Sequence, residues 1–311
     1  MDESIIWSTR ELEEETSATF ARKTFYNYIT AWVVCINRLY GSGDAGTSAF
    51  VNEFKSITAF RGLQRGASVS KEFNNAYSRG LLTFEVMDRI PVSKNPELAL
   101  SVSFWLPVLS YYAIRGLGLA TMIVLNMDCP QSHSAFRAAF SHLVNTYFPS
   151  PFCVRCKGGP GREDFLFENL DTSINEAVQQ KHYQEPDSVE DITPYIGKSL
   201  LKTREESLES KYCYKRDHDN KRRLSRKEKR ECCDREHDTS VCDLLWRMRV
   251  RSNYENPDMY LLASDAAGAT RHYEDFKYLS TTLIAGLDAL IEKRIGPTEM
   301  VNLKSRFRFT P

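Results

Sequence analysis

The stretch that decides the fold covers residues 242–260 and reads CDLLWRMRVRSNYENPDMY. Pro257 interrupts it, and a long Ala-rich segment then runs to Gly296. Because proline stops a helix and glycine commonly follows one, we predict two consecutive helices over residues 239–253 and 265–294. The other apolar segments of the chain also repeat at helical spacings, and no strand pattern of any length accompanies them. The predicted fold is therefore all-α, a helical bundle.

Three arginines in this stretch lie two residues apart, at positions 247, 249 and 251. Residues four apart on a helix share a face, so Arg247 and Arg251 should lie together, with Tyr254 further along the same face. Arg249 should point elsewhere, and Asn253 is its candidate neighbour. The three arginines therefore cannot all serve one surface of a regular helix.

Guanidinium groups bind phosphate oxygens bidentately, and this chemistry predicts a functional site here. We assign catalytic roles to Arg247, Arg249, Asn253 and Tyr254, and nucleic-acid binding to Arg251. The alternative interpretation is that the arginines pair with nearby acids and only brace the helix ends. The acids nearest in sequence are Asp243, Glu255 and Asp258.

Helical spacing predicts the remaining elements. Helices are expected over residues 10–40, 48–63, 70–90, 97–126, 133–148 and 187–208. Ser70 or Ser68 is the candidate N-cap of the third helix, and Ser132 that of the fifth. Pro107 either kinks the fourth helix or marks the junction of two helices. Residues 149–162 are rich in proline, glycine and cysteine and are predicted to form a loop.

One segment, residues 103–127, is apolar over most of a bilayer-spanning length. It carries Arg115 near its middle, which costs about 2.5–3.5 kcal/mol in a membrane. We therefore expect a buried core helix and no membrane association. The acidic start of the chain has no signal-peptide pattern, so a cytoplasmic location is expected.

The overall composition does not indicate any class of binding partner. The 311 residues contain 41 Lys+Arg and 41 Asp+Glu, so any affinity for nucleic acid must come from local patches. Eight scattered cysteines are few for a disulfide scaffold in a chain of this length. Phosphate-loop, dinucleotide-binding, HExxH and GxSxG patterns do not occur in the sequence.

A basic segment divides the C-terminal part of the chain. Residues 211–230 contain ten basic and three acidic residues, a local net charge of +7. With few apolar side chains to bury, residues 209–238 are predicted to be an exposed insertion. The insertion either binds nucleic acid or is a solvated arm. The candidate nucleic-acid-binding residues in it are Lys221, Arg222, Arg223 and Arg226.

The pair Cys153 and Cys156 has the CxxC spacing of half a structural zinc site. Such a site needs four ligands, and the second half would have to come from more distant residues. The candidates are Cys213, Cys232, Cys233, His237 and Cys242. Apart from this zinc option, no cofactor is predicted.

The chain from about residue 98 to 296 resembles the HEPN superfamily of prokaryotic helical bundles. The segment 105–125, with its Tyr111-Tyr112-Ala113, is similar to the first long helix of that family. His133-Ser-Ala-Phe-Arg opens a segment similar to the second helix. The stretch from Leu245 to Tyr254, together with the helix after it, is similar to the signature helix pair.

This resemblance implies a homodimer whose signature helices meet at a cleft. Many family members are metal-independent ribonucleases of defence or toxin–antitoxin systems, in which an arginine contacts the scissile phosphate and a later histidine transfers protons. Here no histidine follows Arg247 before His272, and Tyr254 lies where the histidine is expected. His272 would stand in for it only if the last two helices pack closely. A tyrosine with an ordinary pKa near 10 is a poor base at neutral pH.

Three functions follow as expectations. The first is a HEPN-like subunit that binds RNA or a protein partner in a defence or toxin–antitoxin system. The second is a metal-independent endoribonuclease with a divergent site, and the third is a scaffold subunit.

The expected organisation is an N-terminal helical region (1–95), a HEPN-like bundle (96–296) interrupted at about 209–238, and a tail (297–311).

Overall fold

The computed structural model of the protein describes residues 17–159, 164–170, 193–212, 225–255 and 266–307. Over these ranges the chain is helical apart from one short hairpin, which confirms the predicted all-α class. The helices are α1 (Ser17–Tyr40), α2 (Gly43–Ser56), α3 (Thr58–Arg61), α4 (Lys71–Asp88), α5 (Glu97–Val102), α6 (Leu106–Val124), α7 (His133–Tyr147), α8 (Thr193–Tyr212), α9 (Arg226–Arg235), α10 (Val241–Val250), α11 (Ala266–Ile295) and α12 (Pro297–Phe307). A π-helical turn, Arg251–Glu255, continues α10.

Helix α6 is the central element, and it packs against α4, α7, α10 and α11. Its apolar window has a mean hydropathy of 1.3, enough to pass as a membrane span by length and composition. Inside this fold, however, 78% of that window is buried. Pro107 lies in the first turn of α6, where its missing N–H is tolerated. It therefore marks the junction of α5 and α6 and does not kink one long helix.

Two glycines allow α4 and α6 to cross closely. A Cβ atom added at Gly116 would lie 2.5 Å from the Cα of Gly80. A Cβ added at Gly80 would lie 2.6 Å from the backbone nitrogen of Leu117. Real Cβ atoms do not approach backbone this closely, so the crossing requires the absence of a side chain at both positions.

Apolar side chains from both sides of residue 95 belong to one buried cluster. From the N-terminal part, α1 and α2 pack against α11, and α1 also packs against α8. Trp32 of α1 is fully buried and donates from Nε1 to Ser199 Oγ of α8 at 3.2 Å. Both predicted N-caps are found, since Ser70 and Ser132 each accept a hydrogen bond from a backbone amide three residues on.

The hairpin corrects the predicted loop at residues 149–162. Strands β1 (Arg155–Gly158) and β2 (Phe165–Glu168) are antiparallel, and Cys156 also forms a backbone bridge with Thr239. The sequence of β1 is polar and lacks alternation, so periodicity could not reveal it. The strands are held by ion pairs of Arg155 and Lys157 with Glu168, which only the folded chain brings together.

Residues 209–238 were predicted to be an exposed insertion, and most described side chains of α9 are indeed exposed, but both described ends of the segment are helical. Helix α8 continues to Tyr212, and α9 begins with a capping box formed by Ser225 and Glu228. Cys233 of α9 is buried. Helix α9 packs against α8 and β1, while most of its charged side chains remain exposed. Residues 213–224 lie outside the described ranges, and so do Lys221, Arg222 and Arg223.

Candidate anion-binding cleft

Helix α10 begins at a buried carboxylate. Asp243 accepts hydrogen bonds from the backbone amide of Ser240 at 3.0 Å and from its hydroxyl at 3.3 Å. These bonds satisfy donors at the start of the helix, where no earlier turn can do so. Leu244, Leu245 and Met248 anchor the other side of α10 in the core. The arginines of this helix are thereby held on a rigid element.

The carboxylate of Asp243 has two cationic or polar partners from other segments. Arg137 of α7 donates to Oδ1 at 2.7 Å, and His237 Nε2 lies 2.8 Å from the same oxygen. Burial alone would raise the pKa of Asp243, but His237, Arg137 and the Ser240 backbone amide lower it to about 2. Asp243 is therefore ionised at neutral pH and holds Arg137 at the side of α10.

Arg247 and Arg251 share one face, as the i,i+4 spacing predicts. Both reach Glu206 of α8. Arg247 donates from Nε to Glu206 Oε2 at 2.5 Å and from Nη2 to Oε1. Arg251 Nη2 lies 2.9 Å from the same Oε1. Ion pairing of these arginines was anticipated, but with acids close in sequence, and the partner found here comes from another helix.

Arg249 points away from these two residues into an aromatic cluster. Its guanidinium carbon lies 4.6 Å from the ring centre of Trp246 and 5.2 Å from that of Tyr112. Nη2 also donates to the Tyr112 hydroxyl at 2.8 Å. Such cation–π contacts stabilise a desolvated guanidinium by about 2 kcal/mol. His133 stacks on the same Trp246, with ring centres 4.5 Å apart.

A cleft of about 240 Å³ opens between α7, α8 and α10, and we call it the arginine cleft. Four of its lining residues are cationic and two are acidic, a net charge of +2. The hydroxyl side chains of Thr203 and Ser207 also line the cleft. Trp246 and Val250 complete the lining. The lining residues are Arg137, Thr203, Glu206, Ser207, Lys211, Asp243, Trp246, Arg247, Val250 and Arg251. Lys211 also forms an ion pair with Glu236, which lies just after α9.

The structure brings only two of the predicted site residues together in the cleft. Arg247 and Arg251 line the arginine cleft, whereas Arg249 is buried in the aromatic cluster behind Trp246. Asn253 is half-buried in the π-helical turn, and the side chain of Tyr254 lies outside the described residues. Arg226 is exposed at the start of α9 and is not part of the cleft lining.

His272, the suggested substitute base, lies at the interface of α11 with α1. Its ring stacks on Tyr26 with centres 3.4 Å apart, and Phe276 packs edge-on at 4.8 Å. Only 2% of His272 is exposed. Its surroundings are those of a core aromatic residue.

The proposed zinc pair lies at the start of the hairpin. Burial raises the pKa of the Cys153 thiol, and it raises that of Cys156 to about 12, so both thiols are protonated at neutral pH when no metal is bound. Within the described ranges, no three His, Cys, Asp or Glu side chains are placed to hold a metal ion together. Cys213, one candidate for the second half, lies outside them.

Sequence reasoning missed three charged residues of the cleft. Arg137 carries a weak signal, since it lies one helical turn after His133 in a segment already identified. Glu206 and Lys211 belong to the predicted helix and insertion, but their relation to Arg247 depends on how α8 packs on α10. The separation of 41 residues between Glu206 and Arg247 cannot be read from local spacing.

Comparisons of the chain with family models, with curated proteins and with solved structures find no match.

Proposed function

We propose that this chain is a HEPN-like subunit that binds RNA through the arginine cleft, in a prokaryotic defence or toxin–antitoxin type of system. The observation that carries the proposal is the convergence of four cationic side chains, from α7, α8, α10 and the π-helical turn, on one cleft. Phosphate oxygens are the ligands that such a set of guanidinium and ammonium donors fits best.

The geometry of Arg247 and Arg251 supports phosphate recognition. Their guanidinium groups already bind a two-oxygen anion, the carboxylate of Glu206, in a forked arrangement. A phosphate group presents oxygens at similar spacing and accepts the same donors. Trp246 and Val250 form an apolar wall of the cleft, which strengthens charged hydrogen bonds by limiting water.

RNA binding is tested directly by fluorescence polarisation with an internally labelled single-stranded RNA that carries a phosphate at both ends, at several salt concentrations. The Arg247→Ala variant should weaken binding about tenfold and reduce the salt slope by about 0.7, the value for one lost phosphate contact. The matched control is Arg89→Ala, because Arg89 pairs with Glu85 on the surface of its own helix. Equal affinities for wild type and Arg247→Ala would refute binding at the cleft.

A second candidate function is a metal-independent endoribonuclease, and His133 favours it. Burial lowers the pKa of His133, and the charges of Arg115, Arg249 and Arg137 lower it further. A neutral imidazole can accept a proton at pH 7, and this one packs on the same Trp246 as Arg249. His133 would thus provide the histidine that the segment after Arg247 lacks.

The enzyme is distinguished from the binding subunit by incubating the pure protein with total RNA and EDTA. A nuclease should cleave the RNA, and both Arg249→Ala and His133→Ala should abolish cleavage without abolishing RNA binding. The His142→Ala variant is the control, since His142 is exposed on the same helix. If the RNA stays intact with the wild-type protein, the endoribonuclease function is refuted and only the RNA-binding function remains.

Assembly and location form part of the same proposal. A homodimer, a cytoplasmic location without membrane association and a protein partner of a defence complex are expected from the resemblance and from the apolar pattern. Light scattering coupled to gel filtration gives the oligomeric state. A pull-down in which partner capture is unchanged by Arg247→Ala, together with no RNA binding, would favour the scaffold function instead.

A further inference from the structure

Glu206 occupies the anion-binding position of the arginine cleft. Its two oxygens accept from Arg247, and one of them also contacts Arg251. The Glu206 side chain is 31% exposed, so it can rotate into solvent without crossing the core. Any phosphate that binds these arginines must therefore take the place of this carboxylate.

Whether a phosphate group displaces the Glu206 carboxylate depends on the negative charge that each of them carries. The carboxylate of Glu206 carries one negative charge, and so does an internal phosphodiester of RNA. Exchanging one monoanion for another brings little gain, because the same donors are used and an external ligand also loses translational freedom. A terminal phosphomonoester carries about −1.5 to −2 charges at pH 7 and offers three acceptor oxygens.

The cleft has the charge for such a group. Its lining carries four cations against Glu206 and Asp243, a net charge of +2. Asp243 stays engaged with Arg137 and Glu236 with Lys211, which leaves Arg247 and Arg251 as the donors that a ligand gains when Glu206 moves away. The Thr203 and Ser207 hydroxyls line the same space. At about 240 Å³ the cleft is smaller than a drug-sized pocket of roughly 300–1,000 Å³, and it suits one terminal group.

We propose that the arginine cleft binds the terminal phosphomonoester of an RNA strand, and that Glu206 acts as an internal competitor that keeps internal phosphodiesters out. This inference rests on the proposed RNA-binding function and specifies its ligand. The cleft thus recognises RNA ends, because a ligand occupies it only if it binds the arginines more tightly than the Glu206 carboxylate does.

The first experiment compares RNAs of one sequence with different ends, using the full-length wild-type protein. The four ends are 5′-phosphate, 5′-hydroxyl, 5′-methylphosphate and 3′-phosphate, and the readout is fluorescence polarisation with a label placed internally. At least one phosphomonoester RNA should bind about tenfold more tightly than the hydroxyl form. The methylphosphate, a monoanion of nearly the same size, should bind like the hydroxyl form. The two phosphorylated forms identify which end is read.

The second experiment tests the role of Glu206. Glu206→Gln removes the competing charge, so 5′-hydroxyl RNA should bind about tenfold more tightly than it binds wild type. Glu205→Gln is the matched control, because the neighbouring Glu205 pairs with Lys202 of its own helix. Arg251→Ala should weaken binding of the phosphomonoester RNA and leave that of the hydroxyl RNA unchanged.

The outcomes separate this inference from the proposed function. Equal binding of all four RNAs would overturn end recognition while leaving RNA binding intact. Weaker binding of every RNA to Glu206→Gln would show that Glu206 positions the arginines, and it would overturn the competitor role. Absence of binding to any of the RNAs would refute the proposed function and this inference together.

Discussion

At the scale of single residues, Asp243 combines complete burial with a stable negative charge. Its folded pKa of about 2 lies below the ordinary value of 3.8. A depressed pKa of this kind stabilises the fold above pH 3.8, and the contribution is lost as the pH falls from 3.8 towards 2. The residue therefore supports both the start of α10 and the position of Arg137 throughout the neutral range.

Replacing Asp243 should be costly for stability. Asp243→Ala leaves the guanidinium of Arg137 without this carboxylate, and loss of one partner of a buried ion pair costs about 3–5 kcal/mol. Urea unfolding at pH 7 measures the change in the free energy of unfolding. The control is Asp234→Ala on exposed α9 surface, for which a change within about 0.5 kcal/mol is expected. A similar loss in both variants would contradict this account.

The contribution of Asp275 of α11 to stability should change with pH in the direction opposite to that of Asp243. Burial raises its pKa to about 6, although Thr30 Oγ1 of α1 donates to it at 2.6 Å and partly offsets this shift. Between pH 3.8 and 6 the folded protein holds a proton that the unfolded chain has lost, so this residue's contribution to stability falls as the pH rises through that window. Above pH 6 a buried charge remains and destabilises the fold.

The Asp275→Asn variant removes this charge and should be more stable than wild type at pH 7.5, by about 2 kcal/mol. At pH 4 the two proteins should have the same stability within about 0.5 kcal/mol. Comparing variant with wild type at each pH cancels the contribution of Asp243. Thermal unfolding followed by circular dichroism gives both differences, and an equal difference at the two pH values would contradict the assigned pKa.

At the scale of elements, the crossing of α4 and α6 depends on two small residues. Gly116→Ala places a methyl group against the backbone at Gly80, so the helices must separate or bend, which costs about 1–3 kcal/mol. Gly62→Ala is the control, because the nearest atom to a Cβ there lies at 3.5 Å and the residue is in the right-handed helical region. It should leave stability unchanged or raise it by up to about 1 kcal/mol. Urea unfolding compares the two.

Most helices were predictable from the sequence because their apolar residues repeat regularly. The long C-terminal helix was predicted over 265–294 and is found as Ala266–Ile295, and 133–148 is found as His133–Tyr147. The second helix was predicted to begin at residue 48 but begins at Gly43, because two glycines obscured its first turn. β1 and α9 were missed because polar segments of this length have no pattern of their own and acquire structure by packing.

At the scale of the whole molecule, the arginine pattern predicted which side chains share a face but not what they meet. Arg247 and Arg251 were paired by spacing alone, whereas their partner Glu206 and the contact of Arg137 with Asp243 arise from the packing of α7, α8 and α10. Long-range contacts of this kind depend on the complete core. The sequence therefore predicted two of the four cationic residues of the arginine cleft, and the other two are brought there by the fold.

Arg204 of α8 links three parts of the molecule around this cleft, although it is only 1% exposed. Its guanidinium donates to the backbone carbonyls of Gly158 in β1 and His237 before α10, each at 2.8 Å, and to that of Cys233 in α9 at 3.3 Å. A buried carbonyl that loses its donor costs about 1–3 kcal/mol. Arg204 thus fixes the hairpin and α9 against the helix that carries Glu206 and Lys211.

Arg204→Met keeps much of the side-chain volume but removes all three donors, so it should lower the free energy of unfolding by at least about 3 kcal/mol. Amide hydrogen exchange should accelerate first in β1 and α9, which depend on those bonds, and more slowly in the core helix α6. The control is Arg79→Met, since Arg79 is exposed and its guanidinium bonds within its own helix, to Asn75. Exchange that accelerates uniformly over the chain would mean that Arg204 supports the core as a whole. Acceleration confined to β1 and α9 would show that this one side chain fixes the hairpin and α9 to α8.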